Sequence, residues 1–282
     1  MTAVVAAVAF WLAAWGLNVA LARSRWRKAR AVRIAVPVIF GLAVLALWQG
    51  LVRGLEVSPV ILPAPTDIAR TFVTSTDVLW QDFVQTVLKG ALSGYLIGCG
   101  VAFVTAIAID RSAFLTAGLL PIGNFVAALP IVGIAPILVS WFGFDWQSKA
   151  AVVVVMVFFP VLVNVVQGLK ETEAMQRDLM RTYAASYWQT MVKLRLPAAM
   201  PFVFNGLKIA TTLALIGAIV AEYFGSPIRG MGFRISTGVG RLAIDLVWAE
   251  IAVAALVGTA FYGIVAMIEK LVTFWHPSQR VG

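Results

Sequence analysis

Residues 171–201 read ETEAMQRDLMRTYAASYWQTMVKLRLPAAMP, the one long polar, charge-mixed stretch of the chain. Glu171, Glu173, Arg177, Asp178, Arg181, Lys193 and Arg195 fall here, between apolar runs at 150–169 and 201–221 that are each long enough to cross a bilayer. A segment so charged, held between two such runs, belongs in water at a membrane face and calls for a partner. Leu179, Tyr183 and Tyr187 recur every fourth residue as an apolar stripe on a short helix, leaving Arg177, Asp178 and Arg181 to face water. The small residues Ala184, Ala185 and Ser186 permit a bend. Trp188 to Leu194 then reads as a second short amphipathic piece, which Leu196-Pro197 closes before the next span. The two pieces make a compact knob. The competing reading is an interfacial helix lying on lipid, to which the interspersed Glu and Asp are poorly suited because anionic headgroups repel them.

The surrounding chain sets the class. Of 282 residues, 61% are hydrophobic and only 12% charged, with a mean hydropathy of +0.92, far outside the range of soluble domains. This is the composition of an all-α integral membrane protein. The net charge of +9 resides in basic clusters between apolar runs, which topology and anionic lipid headgroups explain better than nucleic acid. Membrane lipid is therefore a partner and nucleic acid is not. Cys99 is the sole cysteine and lies in an apolar run, so no intrachain disulfide and no thiolate metal site is available. The sole histidine, His276, lies in the polar tail, away from any candidate ligand set.

Seven runs are long and charge-poor enough to span: 4–21, 34–52, 90–109, 112–144, 150–169, 201–221 and 251–268. Arg23, Arg25, Arg27, Lys28, Arg30 and Arg33 follow the first run, whereas a cleaved signal peptide carries its positive end first, so that run is read as a retained span. Segments 23–33 and 170–195 hold eleven Lys and Arg, against three in 53–80 and 142–149, which puts the amino terminus outside and the carboxyl terminus in the cytoplasm. Residues 1–57 then form an extra amino-terminal span plus the first core helix, and 58–282 a transmembrane domain with the cytoplasmic loop 170–201. Pro59, Pro63 and Pro65 mark an external elbow, where Thr66 could cap a short helix from Asp67. Gly90, Gly94, Gly98 and Gly100 allow close helix packing. Pro121, Pro130 and Pro136 break the fourth run, and backbone groups freed there must find neighbours or line a wet path. The glycine-rich 222–245 reads as an external turn region, with Glu222 and Glu250 as water-accessible charges at helix ends.

No nucleotide-binding loop, metalloprotease or esterase motif is present, so no catalytic residue, no metal site and no cofactor is assigned to this chain. Uphill transport would draw on an ion gradient or on another subunit. Carriers place paired ionisable groups at mid-membrane, and here Lys208 lies about 10 Å along its helix from Pro201, within snorkelling reach of the inner interface or facing a path. The path candidates are Asn124, Pro130, Pro136, Asn164, Lys208, Thr211 and Glu222.

Aligned on Leu196-Pro197, the loop resembles the cytoplasmic EAA loop of binding-protein-dependent ABC importer permeases: E-A-A, three residues, G, nine residues, I-x-L-P. Asp178-Leu179-Met180 stands at E-A-A, Ala184 at the glycine and Leu194 at the isoleucine. ILPAPTDI (61–68), LPIVGIAPILVSWFGF (129–144), NGLKIA (205–210) and VAEYFGSPIRGMGF (220–233) are similar to the nitrate, sulfonate and taurine branch of that family. The resemblance covers about residues 60–275 and implies a type I importer fold in a bacterial inner membrane. It further implies two ATP-binding cassette subunits that carry ATP and Mg, a second permease copy or paralogue, and a periplasmic or lipoprotein solute-binding protein. Carried onto this chain, the coupling residues are Asp178, Leu179, Met180, Tyr183, Ala184 and Ala185, with Pro197 setting the exit. Leu179 and Met180 exceed the family alanines in size and Ala184 replaces a glycine, so a bulkier contact with the ATPase is expected. The implied substrates are small: nitrate-, sulfonate-, taurine- or bicarbonate-like anions, or aromatic and thiamine-precursor compounds. A gradient-driven secondary transporter is the alternative, and a non-transporting scaffold a third reading.

Overall fold

The computed structural model describes residues 2–112, 114, 115, 118, 123 and 129–275, and among these the regular structure is entirely helical. In chain order the helices are α1 (Thr2–Arg23), α2 (Arg30–Gly54), α3 (Pro65–Thr74), α4 (Thr76–Arg111), α5 (Ile131–Phe142), α6 (Trp146–Lys170), α7 (Ala174–Thr182), α8 (Tyr187–Phe224), α9 (Met231–Gly240) and α10 (Ile244–Val272). α1, α2, α4, α6, α8 and α10 are long and apolar enough to cross a membrane. They correspond to six of the seven expected spans. From the remaining run, α5 is described, and with 12 residues it covers about 18 Å, short of a bilayer core. Pro130 stands at its N-terminal boundary and Pro136 inside it, while Pro121, Asn124 and His276 lie outside the described residues.

Several boundaries differ from expectation for local reasons. α3 begins with Pro65 in its first turn, where a missing N–H costs nothing, so the cap position falls on Ala64 and not on Thr66. The span expected over 90–109 extends back to Thr76 as one continuous helix, α4, through a π-helical stretch at Val84–Ala91. α8 likewise runs unbroken from the loop through Pro197 and Pro201, with a π-helical stretch at Met191–Arg195. Proline's ring meets the carbonyl four residues back, which for Pro197 lies in the widened π turn, so the helix continues where a break was expected. Part of the glycine-rich stretch 222–245 folds as α9.

The chain forms two compact units. One comprises residues 1–79 with 235–251. In it α1 lies along α2, with Gly50 and Gly54 at points where Ala3, Val4 and Ala7 leave no room for a Cβ. Gln49 and Arg53 bond the start of α3 through Thr66 and Asp67, Thr71 Oγ1 donates to Asp245 at 2.7 Å, and Trp48 meets Trp248. The other unit comprises 80–234 with 252–282 and centres on α4, α6 and α8. Gly94 and Gly98 abut Ala150, Val153, Val154 and Val157 of α6, and Gly90 abuts Lys149, whereas Gly100 faces open space. Small residues serve this purpose in lipid, where van der Waals contact and not water exclusion holds helices together.

Candidate functional site

Two polar junctions occupy opposite ends of the α4, α6 and α8 cluster. The loop 171–195 carries the first. α7 opens on a capping box, with the Glu173 N–H donating to Gln176 Oε1 at 3.2 Å, and α8 opens on another, formed by Ser186 and Gln189. Both boxes are legible in the sequence as an N-cap residue followed three positions later by Gln. Between them Ala185 N–H donates to Met180 O at 3.0 Å and Ala184 N–H to Arg181 O at 2.8 Å, a Schellman closure. Ala184 takes φ 51° at the position where that closure favours glycine. The alanine that aligns with the family glycine thus stands where the backbone takes a left-handed conformation.

The apolar stripe divides. Leu179 and Tyr183 are 56% and 77% exposed, and Met175 beside them is 80% exposed. Tyr187 instead turns inward, its hydroxyl donating to Asp110 at 2.8 Å and its ring lying under the Arg111 guanidinium. Asp178 pairs with Arg181 in solvent, Ala184 is exposed, and Met180, Ala185 and Pro197 are half-buried. Asp110 and Arg195, which the sequence reading did not single out as a pair, are joined by two hydrogen bonds of 2.6 Å.

The second junction gathers around Glu222. Thr86 Oγ1 donates to its carboxylate at 2.9 Å and Gly232 N–H donates to Oε2 at 2.8 Å. Gly230 N–H donates to Asp82 Oδ1 at 2.6 Å, Met231 N–H to Thr86 Oγ1 at 2.7 Å, and Arg234 Nε to Asp82 Oδ2 at 2.7 Å. Two carboxylates and a hydroxyl from α4 and α8 therefore satisfy the N-terminal amides of α9, whose positive dipole end they also face. Gly230 has φ +119°, and a Cβ there would collide with the Glu222 carboxylate. Lys149 completes the cluster, its ammonium donating to the carbonyls of Phe144 and Gly225 and to Ser148 Oγ. Beside it, a hydrogen bond from the Gln85 side chain, then one from the Trp146 backbone, holds the Asp145 carboxyl below its ordinary range. Glu222 and Glu250 are 1% and 0% exposed, so the expected water-accessible helix ends are instead buried.

The other path candidates lie along α5, α6 and α8. Asn164 bridges α6 and α8, donating to Pro160 O and accepting from Asn205 Nδ2 at 2.9 Å. Lys208 pairs with Glu269 of α10 at 2.7 Å, and the Thr211 hydroxyl bonds the Lys208 carbonyl within α8. Pro130 is exposed and Pro136 half-buried. A cavity of about 330 Å³ opens between α5, α6 and α8, walled by Ile131, Ile134, Met156, Phe159 and Leu213, with Pro160 at its edge. Pro160 leaves the Met156 carbonyl without its usual helical donor beside this space.

Comparison with known proteins places these features in a family. The sequence profile of the binding-protein-dependent transport system inner membrane component matches residues 80–274. A probable ABC transporter permease protein of Haemophilus influenzae is 32% identical, covering 82% of this chain and 94% of its own length. The formylaminopyrimidine transport permease protein ThiX of Halalkalibacterium halodurans is 29% identical over 89% of this chain and 99% of its own. A putative aliphatic sulfonates transport permease protein, SsuC of Bacillus subtilis, is also 29% identical, over 83% and 85%. Among solved structures, the MetNI methionine ABC transporter in inward-facing conformations gives a TM-score of 0.54 at 17% identity, covering 70% of this chain and 95% of that one, a likeness of fold.

Proposed function

The chain belongs to the family of binding-protein-dependent transport system inner membrane components, in the nitrate, sulfonate and taurine branch, and we propose from that premise how its parts divide the work. It is a multi-pass inner-membrane permease subunit of an ABC importer. In our reading the loop 170–201 faces the cytoplasm and docks on an ATPase subunit, which binds ATP and Mg and performs the hydrolysis. Two such ATPases, two permeases and an external solute-binding protein make the working assembly. The cargo is a small anion of the sulfonate, taurine, nitrate or bicarbonate kind, or a small aromatic or thiamine-precursor compound. Residues 1–57 add a span to a core that begins near 58.

One observation carries the coupling assignment. Met175, Leu179 and Tyr183 project from the water-exposed loop with no partner side chain over them, on a helix closed at both ends by its own capping bonds. An apolar face held in fixed geometry beside charges suits a groove on another protein. Asp178, Met180, Ala184 and Ala185 shape that helix and its end, and Pro197 lies where the loop joins the span. Tyr183→Asp sets a carboxylate into the contact, and the ATPase should then co-purify at least about tenfold less well, equivalent to ~1.4 kcal/mol. Normal assembly together with normal stimulated ATP hydrolysis would sink the assignment.

A further inference from the structure

We propose that Asp110 is the positioning residue through which movement of the 171–195 loop enters the spanning helices, a role that rests on the coupling reading above. Asp110 lies in the last turn of α4, and its carboxylate accepts Arg195 Nη1 on Oδ2 and Nη2 on Oδ1, both at 2.6 Å, and the Tyr187 hydroxyl on Oδ2 at 2.8 Å. The same guanidinium donates Nε and Nη2 to the Leu169 carbonyl in the last turn of α6, at 3.0 and 2.8 Å. One carboxylate and one guanidinium thereby fasten three helix ends: α4, α6 and the start of α8. Arg111 adds a second hold, its guanidinium over the Tyr187 and Trp188 rings at 4.5 and 5.1 Å.

Three properties distinguish this node from an ordinary ion pair. The Arg195 and Asp110 side chains are only 15% and 12% exposed, so solvent screens them weakly. The contact is a bidentate fork, which fixes direction as well as distance, where a lysine would give a pivot. By contrast Asp178–Arg181 on the loop surface is 66% and 82% exposed and holds nothing in place. Lastly, Arg195 ends the π-helical stretch Met191–Arg195, so the residue that grips Asp110 is the last before α8 resumes ordinary α geometry. A displacement of α7 reaches Tyr187 and Arg195 first, and the fork passes it to α4 and α6 together instead of letting the loop swing on its covalent links.

The test uses the full permease with its co-expressed ATPase in lipid nanodiscs, in a Cys99→Ala background carrying Gln167→Cys on the exposed side of α6 as a maleimide reporter. Three quantities are read: ATPase co-purification, ATP hydrolysis, and the change in labelling rate on adding ATP. Asp110→Asn should leave the first two near parental while reducing the ATP-driven labelling change about tenfold, the upper range for one residue in a coupling network. Tyr187→Phe, which deletes one hydroxyl and keeps the ring, should reduce it about threefold, and Arg195→Lys should fall between parent and Asp110→Asn. Parental labelling changes in both Asp110→Asn and Tyr187→Phe overturn the proposal. Loss of the ATPase from both variants overturns it too, since Asp110 would then serve docking. If the parent itself fails to retain the ATPase, the coupling reading falls and takes the proposal with it.

Discussion

Ala184 carries a backbone requirement that its side chain does not announce. Its alignment with the family glycine was visible in the spacing from Leu196-Pro197, but only the φ of 51° reveals that the site needs a left-handed backbone. Ala184→Gly should therefore stabilise the loop by ~1 kcal/mol, the steric cost of that conformation, seen as slower amide hydrogen exchange across 174–190. Gly230 is the opposite case. Gly230→Ala strains φ +119° and drives a methyl into Glu222, and should destabilise by about 2 kcal/mol. Gly240→Ala, whose Cβ would meet nothing, should stay within about 0.5 kcal/mol; thermal unfolding in one detergent compares the pair. Asp145 makes a pH statement. Its lowered pKa means that its contribution is present above the ordinary carboxylate value and is lost as pH falls through the folded value, so Gln85→Ala, which also removes a buried side chain, should weaken the protein more at neutral pH than at strong acid. Neither Asp82 nor Thr86 could be foreseen as a partner of the 222–232 segment, because the bonds join residues such as Thr86 and Glu222 that lie 136 positions apart.

At the scale of elements, the spans were legible because length and absence of charge are nearly sufficient in lipid, where only helices satisfy their own backbone. The loop's division into two short helical pieces was legible from its stripe and small residues. What composition could not reveal was continuity: the polar pieces before the third and sixth spans are fused to them through π-helical stretches, and α9 lies in a region whose glycines signalled only turns. The glycines of α4 carry a sharp distinction. Gly94→Val should disrupt packing because its Cβ already meets Val153 and the Ala150 carbonyl, costing about 1–3 kcal/mol. Gly100→Val, on open surface, should be tolerated; thermal stability and yield of folded protein in detergent separate the two.

For the whole molecule, the orientation inferred from the positive-inside pattern has a direct check. In intact cells and a Cys99→Ala background, Lys28→Cys should react with an impermeant maleimide only after the inner face is opened, and Ile61→Cys, 75% exposed, should react at once. The reverse pattern would invert every assignment made for the loop. The family and its fold were legible from dispersed motifs, whereas the Lys208–Glu269 and Asn164–Asn205 pairs required three dimensions, since each joins helices far apart in sequence. The π-helical stretches carry a last consequence, for insertions and deletions. Each takes up one residue more than an ordinary α turn would hold while the flanking helix keeps its phase, so deleting a single residue within 191–194 would let that turn close to α geometry and leave Arg195 on the face that meets Asp110. A relative with one residue fewer there can therefore keep the same grip, and where such a gap occurs in an alignment the aspartate at 110 and the arginine at 195 should persist together.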